Sequence, residues 1–120
     1  MSSVATYKTL IVWQKAYQLA LSTYKITTTF PKNELYGLVS QMRRAAISVV
    51  ANIAEGYIRL TVKDQLHFYN IALGSLAELE CYILFSRDVG YLENSDFQKL
   101  FQLHEEVLKL LRGFINSQRS

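Results

Sequence analysis

The sequence predicts an all-α protein, an antiparallel up-and-down four-helix bundle. Apolar residues recur at three- and four-residue spacing along most of the chain, and no run alternates for long enough to make a strand. Three short breaks cut the chain into four segments, and with such short connections successive helices must run antiparallel. The predicted helices cover about 9–29, 34–59, 62–89 and 95–117 of a single domain, residues 1–120.

The first helix carries two seams. Leu10, Trp13, Tyr17, Ala20 and Tyr24 make one, and Val12, Ala16, Leu19 and Ile26 make the other. A surface helix needs only one apolar stripe, so the second points to burial between subunits. Pro31, the only proline, ends this helix or opens the next, because it lacks an N–H and restricts its neighbour.

The second helix contains QMRRAAISVVANIAEGY, from Gln41 to Tyr57. At about 100° per residue, Gln41, Arg44, Ser48, Asn52, Glu55 and Arg59 share a narrow strip, and Arg43 points nearly the opposite way. Small apolar residues flank the strip and permit close packing. The third helix opens at Thr61 and Asp64, which have capping-box spacing. Its seams are Leu66, Tyr69, Leu73, Leu76 and Ile83, and Phe68, Ala72, Leu79 and Tyr82. Gly74 and Ser75 remove bulk midway, where another helix could come close. In GYLENSDF, Gly90 suits a left-handed helix end, and Ser95 with Gln98 suits a new cap.

Folding the third helix back about Leu60 brings Arg43 and Arg44 level with LAELE, which holds Glu78 and Glu80. Two arginines opposite two glutamates predict a partly buried ion-pair network that fixes register. Asn52 and Glu55 come level with Leu66 and Tyr69 and join the same structural polar set.

The chain of 120 residues is half apolar and carries a net charge of +3. That is enough to bury a core without staples. The charge is uneven: residues 1–63 hold eight Lys/Arg against two acids, and residues 64–120 hold five against eight. Such asymmetry suits a polyanion-binding face or a contact between oppositely charged subunit surfaces. One cysteine, Cys81, excludes an internal disulfide, suits a reducing compartment, and is expected to be a buried small hydrophobe. MSSVATYKTL has no leader pattern, and no stretch reaches the ~18 uninterrupted apolar residues of a membrane span. The expected setting is the cytoplasm, with no membrane partner.

Sharper chemistry finds no support in the sequence. A carboxylate-bridged metal site in a bundle needs two Glu-x-x-His pairs. Asp64-x-x-His67 is one imitation, at a helix start where Asp64 already has a capping role. His104 has Phe101 three residues before it, so no second pair exists and no metal is expected. Cys81 lacks an electropositive setting, and the glycines form no phosphate loop. Trp13 and the tyrosines could stack bases, but at helical spacing they read as core or subunit contacts.

These segments also carry a resemblance. LIVWQKAYQLA, FPKNELYGLVSQMRRAAISVVANIAEGY and FYNIALGSLAELE resemble the motifs of the 23S ribosomal RNA intervening-sequence proteins, also called the four-helix-bundle protein family. The match covers about Leu10 to Leu92, and the fourth helix fits by position and length. RRAA…ANIAEG followed by ALGSLAELE is its specific part. Val50 departs from it, standing where many members carry proline. The resemblance implies a four-helix bundle, a ring-shaped homo-oligomer with a pentamer as the expected state, and a bacterial origin. Members are often encoded inside insertions in ribosomal RNA genes. The fold is similar to an accessory protein of diversity-generating retroelements that associates with RNA and reverse transcriptase. No catalytic activity or cofactor is implied. Family motif positions fall on Arg43, Arg44, Asn52, Glu55, Gly56, Arg59, Gly74, Ser75, Glu78 and Glu80, none with an implied biochemical role.

The expected function is therefore that of a non-enzymatic oligomeric bundle associating with structured or ribosomal RNA. The expected contacts are Lys15, Lys25, Arg59 and Lys63, joined by Arg43 and Arg44 where solvent reaches them. Such binding is mainly to phosphate and falls with salt. One alternative is a scaffold that docks a partner protein without touching RNA. A third reading is a small-ligand or catalytic pocket near Glu55 and Glu78.

Overall fold

A computed structural model describes residues 6–119. Residues 1–5, on which half of the leader reading rests, lie outside the described residues, as does Ser120. Four helices follow one another: α1 (Ile11–Thr27), α2 (Ser40–Tyr57), α3 (Val62–Asp88) and α4 (Asn94–Arg119). They agree with the predicted segments to within about two residues at most ends, and α2 is the exception at its start. Each helix packs on its sequence neighbours and α4 closes against α1, giving a rod of 45 × 30 × 23 Å.

The core sits on alternating three- and four-residue steps in every helix. Val12, Ala16, Leu19 and Thr23 are buried on α1, and Met42, Ala46, Val49, Ile53 and Gly56 on α2. Tyr69, Ala72, Leu76, Leu79, Ile83 and Ser86 are buried on α3, and Leu100, His104, Val107 and Leu111 on α4. This spacing is the seam of helices crossing at a shallow angle, with knobs set into holes. Each fully buried leucine contributes roughly 2 kcal/mol over its exposed state. Polar members of the seam bond locally: the Thr23 hydroxyl donates to the Leu19 carbonyl at 2.8 Å, and the Ser86 hydroxyl to the Tyr82 carbonyl at 2.7 Å.

The breaks follow the punctuation in the sequence, with two differences. α1 stops before Pro31, its last turn tightened by Thr27, Thr28 and Thr29, whose hydroxyls donate to carbonyls three or four residues back. The approach to α2 is irregular where a plain helix was expected from residue 34. A 3₁₀ turn at Lys32–Glu34 leads into a π-helical turn at Leu35–Val39, inside which Gly37 adopts a non-helical φ of −112° and ψ of −108°. The Glu34 carboxylate accepts from the Leu38 N–H at 3.5 Å and from the Tyr91 hydroxyl at 2.9 Å, which holds this wide turn against the end of α3.

Thr61 caps α3 as predicted, its hydroxyl accepting the Asp64 N–H at 3.1 Å. Gly90, at φ 87°, closes α3 in a Schellman arrangement: the Tyr91 N–H donates to the Ser86 carbonyl at 2.9 Å, and the Gly90 N–H to that of Arg87 at 3.1 Å. Ser95 does not cap α4. The helix begins at Asn94, and the Phe97 N–H donates to the Glu93 carbonyl at 2.8 Å, so Ser95 lies inside the first turn.

Contact is densest between α2 and α3. Gly56 explains part of this, since a Cβ there would lie 2.5 Å from Tyr69 Cε1. Further up, the Ser48 and Ser75 hydroxyls bond across the seam at 2.8 Å, and Asn52 Nδ2 donates to the Ser48 carbonyl at 2.8 Å. Of the two small residues predicted to admit a neighbour, Ser75 does so, whereas Gly74 faces open space. Cys81 is exposed, contrary to the expectation, because it falls between Leu79 and Ile83 on the outer side of α3. α3 is long and apolar enough by length and composition to cross a membrane; one face of it packs on α2 and α4, and about a third of its apolar window is buried there.

Candidate functional site

The arginine pair does not meet LAELE within the chain. Arg43 turns to α1 instead, where its guanidinium carbon lies over the Tyr24 ring, 3.7 Å from the centroid. Its Nε donates to Thr27 Oγ1 at 3.0 Å and its Nη2 to the Tyr24 carbonyl at 3.2 Å. Tyr24 and Thr27 are three residues apart in the last turn of α1, so both face Arg43. The carbonyls there carry the partial negative charge of a helix C-terminus, which favours a cation. Arg44 is exposed and makes no ion pair among the described residues. Glu78 is exposed, and Glu80 turns to α4 beside His104 and Glu105. Level heights say nothing about azimuth, and one residue is about 100° of helix. The predicted network failed on that point.

The rest of the predicted polar set divides. Asn52 bonds within the Ser48–Ser75 contact, while Glu55 pairs with Arg59 one turn along the same helix. Glu55 and Glu78 line no common pocket. Gly56 lies beside Tyr69, so Glu78 is about nine residues, or about 13 Å, further along the bundle.

The predicted cations also form no single face. Lys15 pairs with Glu106 at 3.3 Å, bridging α1 and α4. Arg59, besides its bond to Glu55, lies over the Phe68 ring at 4.7 Å, and Lys63 is exposed nearby at the start of α3. Lys25, Arg43 and Arg44 stand at the opposite end of the rod. From Arg44 to Arg59 is about 22 Å along α2, more than two Debye lengths at physiological salt. Lys32, which sequence reasoning passed over, joins the first group, lining a groove with Arg43, Thr27 and Phe30. Lys25, Lys32, Arg43 and Arg44 make no ion pair among the described residues. The nearby Glu34 is occupied by Tyr91, whose hydroxyl it holds above its usual pKa by accepting its hydrogen bond.

The best-formed candidate site is therefore the groove between α1 and α2 lined by Ala20, Tyr24, Arg43, Arg44 and Ile47, with a volume of about 290 Å³. Tyr24 is 58% exposed and Ile47 54% exposed beside it, and Tyr17 continues the apolar strip at 43%. Its elements are an anchored guanidinium, a free one and bare apolar surface. That set can take a phosphate or carboxylate next to a flat or aliphatic group. Tyr24 was legible as part of an apolar seam, but nothing in sequence spacing ties it to Arg43, nineteen residues away.

Comparison with known proteins agrees with this architecture. The family model described as 23S rRNA-intervening sequence protein matches residues 8–113. A crystal structure of a protein of unknown function from the S23 ribosomal protein family of Bacteroides thetaiotaomicron superposes with a TM-score of 0.79 at 23% identity. That alignment covers 88% of this chain and 98% of the other. No curated protein matches the chain. The chain belongs to the 23S rRNA-intervening sequence protein family.

Proposed function

We propose that this member of the 23S rRNA-intervening sequence protein family is a non-enzymatic bundle that associates with structured RNA, holding its phosphates with the cations at the α1–α2 end. The observation that carries the reading is Arg43. Its guanidinium is anchored by Tyr24 and Thr27, and it lines one groove with the unpaired Arg44. A guanidinium fixed before binding loses less freedom on contact, and RNA recognition draws on arginine and aromatic planes together. Lys25 and Lys32 extend the charge, and Arg59 with Lys63 forms a second, separate contact.

The test is fluorescence anisotropy with fragments of 23S ribosomal RNA across a salt series. Lys25→Glu with Arg44→Glu removes two exposed cations without touching the core. Affinity should fall at least tenfold at low salt, and the slope of log K against log salt should shrink by about 1.5. Unchanged affinity with an intact helical spectrum would refute the assignment.

A second reading is favoured by the bare strip of Tyr17, Tyr24 and Ile47: this face receives protein, in the first instance further copies of the chain. A ring of five is the assembly expected from the family resemblance. Ile47→Glu should then lower the mass measured by light scattering, and a monomer in the unmutated protein would remove the reading. Docking of a partner enzyme on the same strip would appear as co-purification of one protein after nuclease treatment.

A further inference from the structure

His104 is wholly buried between α3 and α4, far from the arginine groove, and the proposed function does not use it. Its Nε2 lies 2.6 Å from the Leu76 carbonyl oxygen. A carbonyl only accepts, so Nε2 carries a proton, and whenever the ring is neutral Nδ1 presents a lone pair. That lone pair meets Glu105 Oε2 at 3.2 Å. Two acceptors at this separation repel unless a positive charge lies between them. Glu80 brings a third donor from the facing helix, and the three ligand atoms lie within 4.8 Å of one another.

The geometry points to a divalent transition-metal site formed by His104 Nδ1 and the carboxylates of Glu80 and Glu105. A metal-binding histidine commonly has its other ring N–H held by a backbone carbonyl, which fixes both tautomer and aim. Leu76 does that here. Bonds of about 2.0–2.2 Å to zinc place neighbouring ligands about 2.9 Å apart in an octahedron and about 3.3 Å apart in a tetrahedron. The observed 3.2 Å between Nδ1 and Oε2 falls in that range. Ligands on one ion stand at most about 4.2 Å apart, opposite each other in an octahedron, so the set contracts by less than about 1 Å there and by up to about 1.5 Å in a tetrahedron. His104 and Glu105 already stand at 3.2 Å, so the movement falls to the half-buried Glu80 side chain. One imidazole and two carboxylates suit zinc or a neighbouring first-row ion. The positions left on the solvent side fall to water. The ion would tie α3 to α4 across a gap that the Asp64–His67 spacing does not mark.

The experiment uses the full chain stripped with a chelator, zinc as the probe, calorimetric titration, and the nitrogen resonances of the histidine rings. One zinc per chain is expected, with the Nδ1 signal of His104 shifting as it binds. Glu80→Gln and Glu105→Gln keep side-chain shape and should each weaken binding about tenfold or more. His67→Gln, at an exposed histidine outside the set, should leave the affinity unaltered. Zinc affinity that both glutamine variants retain would overturn the site. So would failure to bind zinc, and a proton found on Nδ1 in the stripped protein would then account for the charge between the two acceptors.

Discussion

Gly56→Ala isolates the contact that draws α2 onto α3. A Cβ at this position would lie 2.5 Å from Tyr69 Cε1, 2.8 Å from Cδ1 and 3.1 Å from the Gln65 carbonyl oxygen. Carbon atoms rest about 3.5–4.0 Å apart, so the ring would have to retreat by about 1 Å. It has nowhere to go, being fully buried with Phe114 packed edge-on at 5.3 Å. Overpacking of this kind costs about 1–3 kcal/mol. Alanine in place of glycine within a helix offsets about 0.5–1 kcal/mol of that. The net loss is about 1–2 kcal/mol, which in a chain of this size lowers Tm by roughly 4–8 °C. Urea unfolding followed by far-UV circular dichroism measures it. The decisive arm repeats the substitution in a Tyr69→Leu background, where the ring no longer crowds the methyl and alanine should gain about 0.5–1 kcal/mol, giving a coupling of about 1.5–3 kcal/mol. If Gly56→Ala is neutral beside Tyr69, or costs the same in both backgrounds, the ring is not what requires the glycine.

Two further outcomes follow from side chains in the same region. Burial pushes the Tyr69 hydroxyl from its ordinary pKa near 10 up to about 12, with Tyr57 adding to the effect. The folded chain thus holds this proton more tightly than the unfolded one. The resulting stability is complete below pH 10 and lost as the pH rises towards 12, in total about 3 kcal/mol. Unfolding free energies measured across that window should fall for the natural protein and fall less for Tyr69→Phe; parallel curves would contradict the assignment. At the head of α3, Thr61→Ala should cost about 1 kcal/mol and Thr61→Ser almost nothing, because only the former removes the acceptor for the Asp64 N–H. Equal stability of the two in urea would mean that the cap does not contribute.

Fold and boundaries were readable because the determinants are local. Pro31, Thr61 and Gly90 act through their own backbone geometry, and the three-four spacing of Val12, Ala16 and Leu19 requires no knowledge of what they pack against. What could not be read depends on where one helix faces another. Arg43 looked like a partner for Glu78 or Glu80 because height was counted and rotation was not, and the side chain went to Tyr24. Cys81 missed the core by the same rotation. The irregular turn before α2 depends on Tyr91, which reaches Glu34 from 57 residues away. At helical spacing His104 has Phe101 rather than a carboxylate, while the carboxylate that faces it across the seam lies on α3.

The placement of cations at opposite ends of α2 sets a minimum length for anything that grips both. Within a regular duplex one strand advances about 3.4 Å per phosphate along the axis, so bridging Arg44 and Arg59 takes roughly seven nucleotides of that strand laid along the rod. A shorter helical segment, a mononucleotide or a lone inorganic anion has to choose one end and forgo the other, so under the proposed function affinity should rise with polymer length as well as with charge.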